Sequence, residues 1–177
     1  MPRLFLGLDL PQTHRMHLSL IQCGLPGARW VEPADMHITL RFFGDIAPST
    51  ADNLVDMLDA QPWPEADIVP ADLASFGHGK PTSIHMGIEK TVRLLRLQEQ
   101  LERTVRRLGF APEPRKFSPH VTIARCRGVS AEAVAGYLMQ KAMPRLPPFT
   151  ASQLILYSAR QSRGGGPYVR EEVFALS

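Results

Sequence analysis

The tetrapeptide His37-Ile38-Thr39-Leu40 returns 83 residues later as His120-Val121-Thr122-Ile123, and both copies lie in runs whose alternation fits a β-strand. In a strand, side chains at i and i+2 share a face. His37 therefore projects with Thr39, and His120 with Thr122, while the intervening apolar residues point the other way. Six His and eight Thr scattered over 177 residues give about 0.27 His-x-Thr triplets by chance, so two copies with apolar partners at every other position stand out from composition. If the fold sets the two strands side by side, one cleft receives two imidazoles and two hydroxyls. That set suits acid–base chemistry on a phosphate.

A chain of this length suits one domain over 1–177, built as one body or as two intimately packed lobes. Hydrophobic residues at 44% and charged residues at 21% are those of an ordinary globular protein rather than a disordered one. The apolar run at residues 4–8 is broken by Asp9 and Pro11, too short for a signal core or a membrane span, so it is expected to be an internal strand. Two cysteines, Cys23 and Cys126, make no disulfide framework, and a cytoplasmic location with no membrane association is expected. The net charge of +3 is mild, yet sixteen of the twenty cations are Arg, the better fork for phosphate oxygens. Charge pattern alone still favours solvated helix faces.

Read in order, the pattern predicts a strand over 3–10 and a helix over 11–22, with His14 and His17 on its surface or boundary. The first motif strand spans 36–43 and ends at Gly44. On simple alternation His37, Thr39, Arg41 and Phe43 share one face of it. A helix over 48–60 buries Leu54, Val55 and Leu58. Strands follow near 67–75 and 82–88, joined by a Gly/Pro-rich turn. The clearest helix covers 92–108, with Leu94, Leu97, Leu101, Val105 and Leu108 as its stripe and with Glu99–Arg103 and Glu102–Arg106 as i,i+4 pairs. The second motif strand comes next, then a helix over 131–141. Two last strands, 151–158 and 168–176, form a hairpin around a basic, Gly-rich loop at 160–167. Strands and helices mix without a βαβ rhythm, which favours α+β.

Rival chemistries lack their residues. Zinc needs three or four ligands at tight spacing, and neither motif His has them. No Gly-x-Ser-x-Gly elbow and no Walker-type phosphate loop is present. Cys126 reads as a small packing residue. No metal and no cofactor is therefore expected. Two imidazoles titrating near neutrality can divide the work on a phosphodiester, one taking a proton from water and one giving a proton to the leaving oxygen. The threonine hydroxyls are then donors to the non-bridging oxygens.

The two motifs, the start Leu4-Phe5-Leu6-Gly7-Leu8-Asp9-Leu10-Pro11, Arg29-Trp30-Val31, Arg41-Phe42-Phe43-Gly44, Phe117-Ser118-Pro119-His120 and Ala124-Arg125 resemble the two-histidine phosphoesterase superfamily. Within it the chain is most similar to the RNA 2′,3′-cyclic phosphodiesterases of the LigT/ThpR group, formerly called 2′-5′ RNA ligases. The resemblance implies a bilobal α+β fold: two pseudo-symmetric antiparallel-sheet lobes with outer helices and a central groove. It implies hydrolysis of 2′,3′-cyclic phosphates, on RNA ends or free nucleosides, to 2′-phosphates. His37 would be the proton donor and His120 the acceptor, with Thr39 and Thr122 on the phosphate. Arg41 and Arg125 are further phosphate candidates, although alternation turns Arg125 to the far face unless the strand ends or bulges. Phe43, Ser118 and Tyr157 are candidates for contact with the base or substrate. His85 stands where the group often has an aromatic residue. A monomer is expected. Ligation in the reverse direction, another cyclic phosphate, and non-catalytic nucleotide binding are the alternative readings.

Overall fold

The computed structural model describes residues 3–141, 145–159 and 166–177. Among the described residues ten strands and four α-helices follow in the order β1 (Arg3–Leu8), α1 (Gln12–Leu20), β2 (Arg29–Trp30), β3 (Ile38–Asp45), α2 (Pro48–Asp59), β4 (Ala66–Ile68), β5 (Pro70–Phe76), β6 (Ser83–Ile88), α3 (Val92–Arg107), β7 (His120–Arg125), α4 (Ala131–Gln140), β8 (Phe149–Ala151), β9 (Gln153–Ser158) and β10 (Val169–Ala175). A 3-10 turn at Pro33–Asp35 precedes β3. The strands form two four-stranded sheets, β10-β9-β1-β3 and β2-β7-β6-β5, and a small β4-β8 pair. Every strand pairing within these sheets is antiparallel. The α+β architecture expected from the sequence is the one observed.

Each motif strand belongs to a different sheet, β3 at the edge of the first and β7 inside the second, and the two strands come into contact. The sheets are built from alternation. In β1, Leu4, Leu6 and Leu8 enter the main core, while Phe5 turns to the opposite face and joins Ile155 and Tyr157 in a second, smaller cluster. Gly7 lies opposite Thr39, and a Cβ there would come within 2.7 Å of the Ile38 carbonyl oxygen; glycine allows β1 to approach β3 this closely.

The helices close over the core by their predicted stripes. Leu94, Leu97, Leu101 and Val105 of α3 are fully buried, as are Leu54 and Leu58 of α2. The Thr91 side chain caps α3 by accepting from the Leu94 N–H, and Ser130 caps α4 in the same way. Gly109, at φ +90°, takes the left-handed conformation that ends α3.

Several expectations need correction. The stretch 66–76 is two strands, because Ala66–Ile68 pairs with β8 whereas Pro70–Phe76 pairs with β6. His14 is buried rather than at the surface: its Nε2–H donates to the Pro147 carbonyl at 2.7 Å, and its ring meets Phe149 edge-on. Glu102 and Arg106 pair at 3.8 Å, whereas Glu99 and Arg103 form no ion pair. The tip of the final hairpin, 160–165, lies outside the described residues. No described helix is long and apolar enough to cross a membrane.

Candidate active site

The two motifs share more than their letters. His37 donates Nδ1–H to the Asp35 carbonyl at 2.7 Å, and His120 donates Nδ1–H to the Ser118 carbonyl at 2.7 Å. Each partner lies two residues upstream of its histidine. A carbonyl can only accept, so both neutral rings carry their proton on Nδ1 and present a bare Nε2. At His37 that Nε2 accepts from the Thr39 hydroxyl at 2.9 Å. Both histidines, both threonines and Ser118 line one groove with a volume of about 1220 Å³.

The strands also share an irregularity. In β3 the pairing with β1 runs Gly7 to Thr39 and then Leu6 to Arg41, which leaves Leu40 as an extra residue. In β7 the pairing with β6 runs His85 to Thr122 and then Ile84 to Ala124, which leaves Ile123 extra. The fourth residue of each motif is thus a β-bulge, and a bulge reverses the alternation beyond it. At Ile123 the displaced carbonyl is satisfied by the Val31 N–H at 2.9 Å and the Gln22 side-chain amide at 3.0 Å.

Two assignments change as a result, Arg41 and Phe43, while Arg125 keeps the place that a bulge was expected to give it. Arg41, expected beside His37, is 7% exposed, and its guanidinium is held by Glu102 at 2.8 and 2.9 Å and by the Ala111 carbonyl at 2.5 Å. It touches the groove wall but its charge is already matched. Phe43 packs against Phe110 and the core, 4.9 Å between ring centroids. Phe42 instead is half exposed in the groove and stacks on Phe5. In β7 the bulge brings Arg125 to the groove, exposed and close enough for its charge to oppose protonation of His37. Cys126, the next residue, is fully buried.

Aromatic rings frame each histidine. Around His37 stand Phe5 (4.7 Å), Tyr168 edge-on (5.1 Å) and Tyr157 (5.5 Å). Tyr157, expected to touch substrate, is buried beneath this cluster, and burial pushes its phenol pKa up. Tyr168 lines the groove in its place, its backbone N–H donating to the Asp35 carboxylate at 3.0 Å. Around His120 stand Phe76 edge-on (4.8 Å) and His85 (5.1 Å). His85 is 6% exposed and stacked on Phe76 at 4.0 Å, and its Nδ1 has no hydrogen-bond partner.

Burial depresses all three imidazoles. Desolvation lowers the His37 pKa to about 4, helped by the charges of His120 and Arg125 and opposed by the Asp35 carbonyl. His85 is lowered to about 4, by burial first and then by His120. His120 is lowered by burial, with the Ser118 carbonyl opposing. At neutral pH the groove therefore holds neutral histidines beside Arg125, which has no carboxylate partner among the described residues, a setting that favours an anion.

Phe42, Asp35, Tyr168 and Phe76 were not singled out from the sequence. Asp35 acts partly through its backbone, which leaves no compositional trace, and Phe42 is displaced from expectation by the bulge. Among the described residues no three His, Cys, Asp or Glu side chains converge as a metal cage would.

Comparison with known proteins identifies the family of the chain. The model of a family described as LigT like Phosphoesterase matches residues 8–84 and 87–168, so each matched stretch contains one motif. An RNA 2′,3′-cyclic phosphodiesterase of Methanothermobacter thermautotrophicus is 28% identical over 98% of both chains. One of Bacillus subtilis is 36% identical over 70% of this chain and 71% of its own. The crystal structure of Escherichia coli LigT complexed with 3′-AMP superposes with a TM-score of 0.78 at 22% identity, covering 100% of this chain and 99% of that one.

Proposed function

Because the chain belongs to the LigT-like phosphoesterase family, we propose that it opens RNA 2′,3′-cyclic phosphate ends to 2′-phosphates by proton transfer between His37 and His120, with no metal ion required. The observation that carries this reading is the matched pair of Nδ1–H tautomers, each fixed by a carbonyl two residues upstream, which present two Nε2 atoms to one groove. Relatives named RNA 2′,3′-cyclic phosphodiesterase support the reaction class.

The sequence of events follows from proton bookkeeping. An incoming cyclic phosphate brings a negative charge beside His37 and favours its protonation, opposing the desolvation that lowers its pKa. Once Nε2 of His37 carries a proton it no longer accepts from Thr39, so the hydroxyl is released to donate to a non-bridging oxygen. Thr122 and Arg125 supply the other groove donors. Nε2 of His120 takes a proton from water as the water oxygen bonds to phosphorus. The bond from phosphorus to O3′ breaks, and His37 gives its proton to O3′. The 2′-phosphate leaves, with the two histidines having exchanged protonation states.

The test is turnover of a nucleoside 2′,3′-cyclic phosphate in excess EDTA, with the product isomer identified. Hydrolysis to the 2′-phosphate is expected, with His37→Asn and His120→Asn each losing about 10²–10⁴-fold in kcat. Undiminished turnover in His120→Asn would overturn the assignment.

A further inference from the structure

The arginines of α3 are unevenly neutralised. Near its start Arg93 pairs with Glu65 at 3.1 Å and Asp67 at 2.9 Å. Near its end Arg103 has no ion-pair or hydrogen-bond partner among the described residues. Arg106 reaches only Glu102, at 3.8 Å, and that carboxylate is already gripped by buried Arg41. Among the described residues Arg107 contacts no carboxylate, spending one N–H on the Thr104 hydroxyl at 3.3 Å. Cations in a last turn complement the helix dipole. That accounts for their place along α3 but not for the direction they face.

Arg103 and Arg106 border two concavities at once. One is the groove that holds the histidines; the other, about 510 Å³, lies on the far side of α3 and is also lined by Arg107, Gln61 and Gln100. The two arginines form the saddle between them. The groove, at about 1220 Å³, already exceeds the ~300–1,000 Å³ usual for a single small ligand. Glu99 and Glu113 line the groove too, and Arg115 and Lys116 on the loop before β7 offset them there. Guanidinium groups with no carboxylate partner among the described residues, as at Arg103, or with only a shared and distant one, as at Arg106, arrayed from a phosphodiester site to a second hollow, match a chain with repeated phosphates.

We propose that Arg103 and Arg106 bind backbone phosphates of single-stranded RNA upstream of the reacting 2′,3′-cyclic end and lead the chain over α3 toward Arg107. This rests on the reading of RNA ends as the substrate and adds to it a preference for chain length.

The experiment compares kcat/KM for a nucleoside 2′,3′-cyclic phosphate with that for a hexaribonucleotide carrying the same cyclic end, across a salt series. The wild type is expected to favour the hexamer at least about tenfold at low salt. Its hexamer slope of log kcat/KM against log salt should be more negative than its mononucleotide slope by about 0.7 for each upstream phosphate contacted. In R103Q/R106Q the hexamer-to-mononucleotide ratio should fall about tenfold, and the hexamer slope should flatten by about 1.4. R96E, an exposed charge reversal on the same helix outside both hollows, should leave ratio and slope as in the wild type. Equal efficiency on both substrates in the wild type, or an unchanged hexamer slope in R103Q/R106Q, would overturn the α3 track alone. Turnover of neither substrate would overturn the phosphodiesterase reading beneath it.

Discussion

Arg41 and Glu102, 61 residues apart in sequence, meet through two contacts of 2.8 and 2.9 Å with side chains only 6% and 13% exposed, and so fasten α3 to β3 beneath the groove. The Arg41 Nε, also buried, has no partner. A pair this enclosed is a structural commitment. Removing one member strands the other's charge in low dielectric, which costs about 3–5 kcal/mol, whereas replacing both by apolar residues is often close to neutral. Glu102→Gln is therefore expected to lower stability by that amount, and the double variant R41M/E102L to recover most of it. Urea denaturation of the three proteins checks this; a double variant less stable than Glu102→Gln would contradict it.

The bulge at Leu40 makes opposite predictions for two neighbouring phenylalanines. Phe42→Ala is expected to weaken substrate binding by about 1–3 kcal/mol, the usual worth of a base on an aromatic platform, with little change in stability. Phe43→Ala is expected to lose stability, on the order of 2–3 kcal/mol given its partial burial against Phe110, with little change in KM. Steady-state kinetics and thermal melts on the two variants separate the effects. The reverse pattern would restore simple alternation along β3.

Stability should depend on pH in a definite direction. His37 and His85 are neutral in the folded protein down to about pH 4, but in the unfolded chain they protonate near 6.5. Between those values the unfolded state binds more protons, so stability rises with pH across the window. Acidification from 6.5 toward 4 should cost on the order of 3 kcal/mol for each imidazole. Denaturant melts in that range report it, and H85F should show a shallower dependence than the wild type.

His85 itself offers a fourth outcome. A buried polar atom with no partner costs about 1–3 kcal/mol, and the Nδ1 of His85 is such an atom. A phenyl ring at that position keeps the stack on Phe76, which is 4.0 Å away, and removes the orphan. His85→Phe is expected to be the more stable protein by about 1–2 kcal/mol at neutral pH. A lower melting temperature would show that Nδ1 is satisfied in solution.

What the sequence displayed was local. His37 with Thr39 and His120 with Thr122 needed only the two-residue period, and the burial of α3 needed only its leucine spacing. Arg41, Phe43 and Arg125 lie beyond the fourth motif residue, where facing depends on which residue of β1 or β6 lies opposite. That pairing spans tens of residues and leaves no mark in the strand's own letters. His14 was misplaced for the same reason, since its partner Pro147 is 133 residues away. Asp35 and Ser118 hold the histidines by backbone carbonyls, which every residue possesses.

The repeated bulge has a consequence for how a ligand lies in the groove. Up to the fourth residue the two motifs match in the Nδ1 contact and in the bulge, while only His37 is bonded to its threonine, and the fifth residues, Arg41 and Ala124, are both enclosed. The sixth residues differ in kind: Phe42 offers an apolar ring stacked on Phe5, which in turn faces His37, and Arg125 offers a cation from the other sheet. A molecule with one flat apolar end and one anionic end can fit that pair in a single orientation. On the proposed mechanism the two histidines are held alike, so the choice of which oxygen departs falls to the neighbours that differ between the motifs.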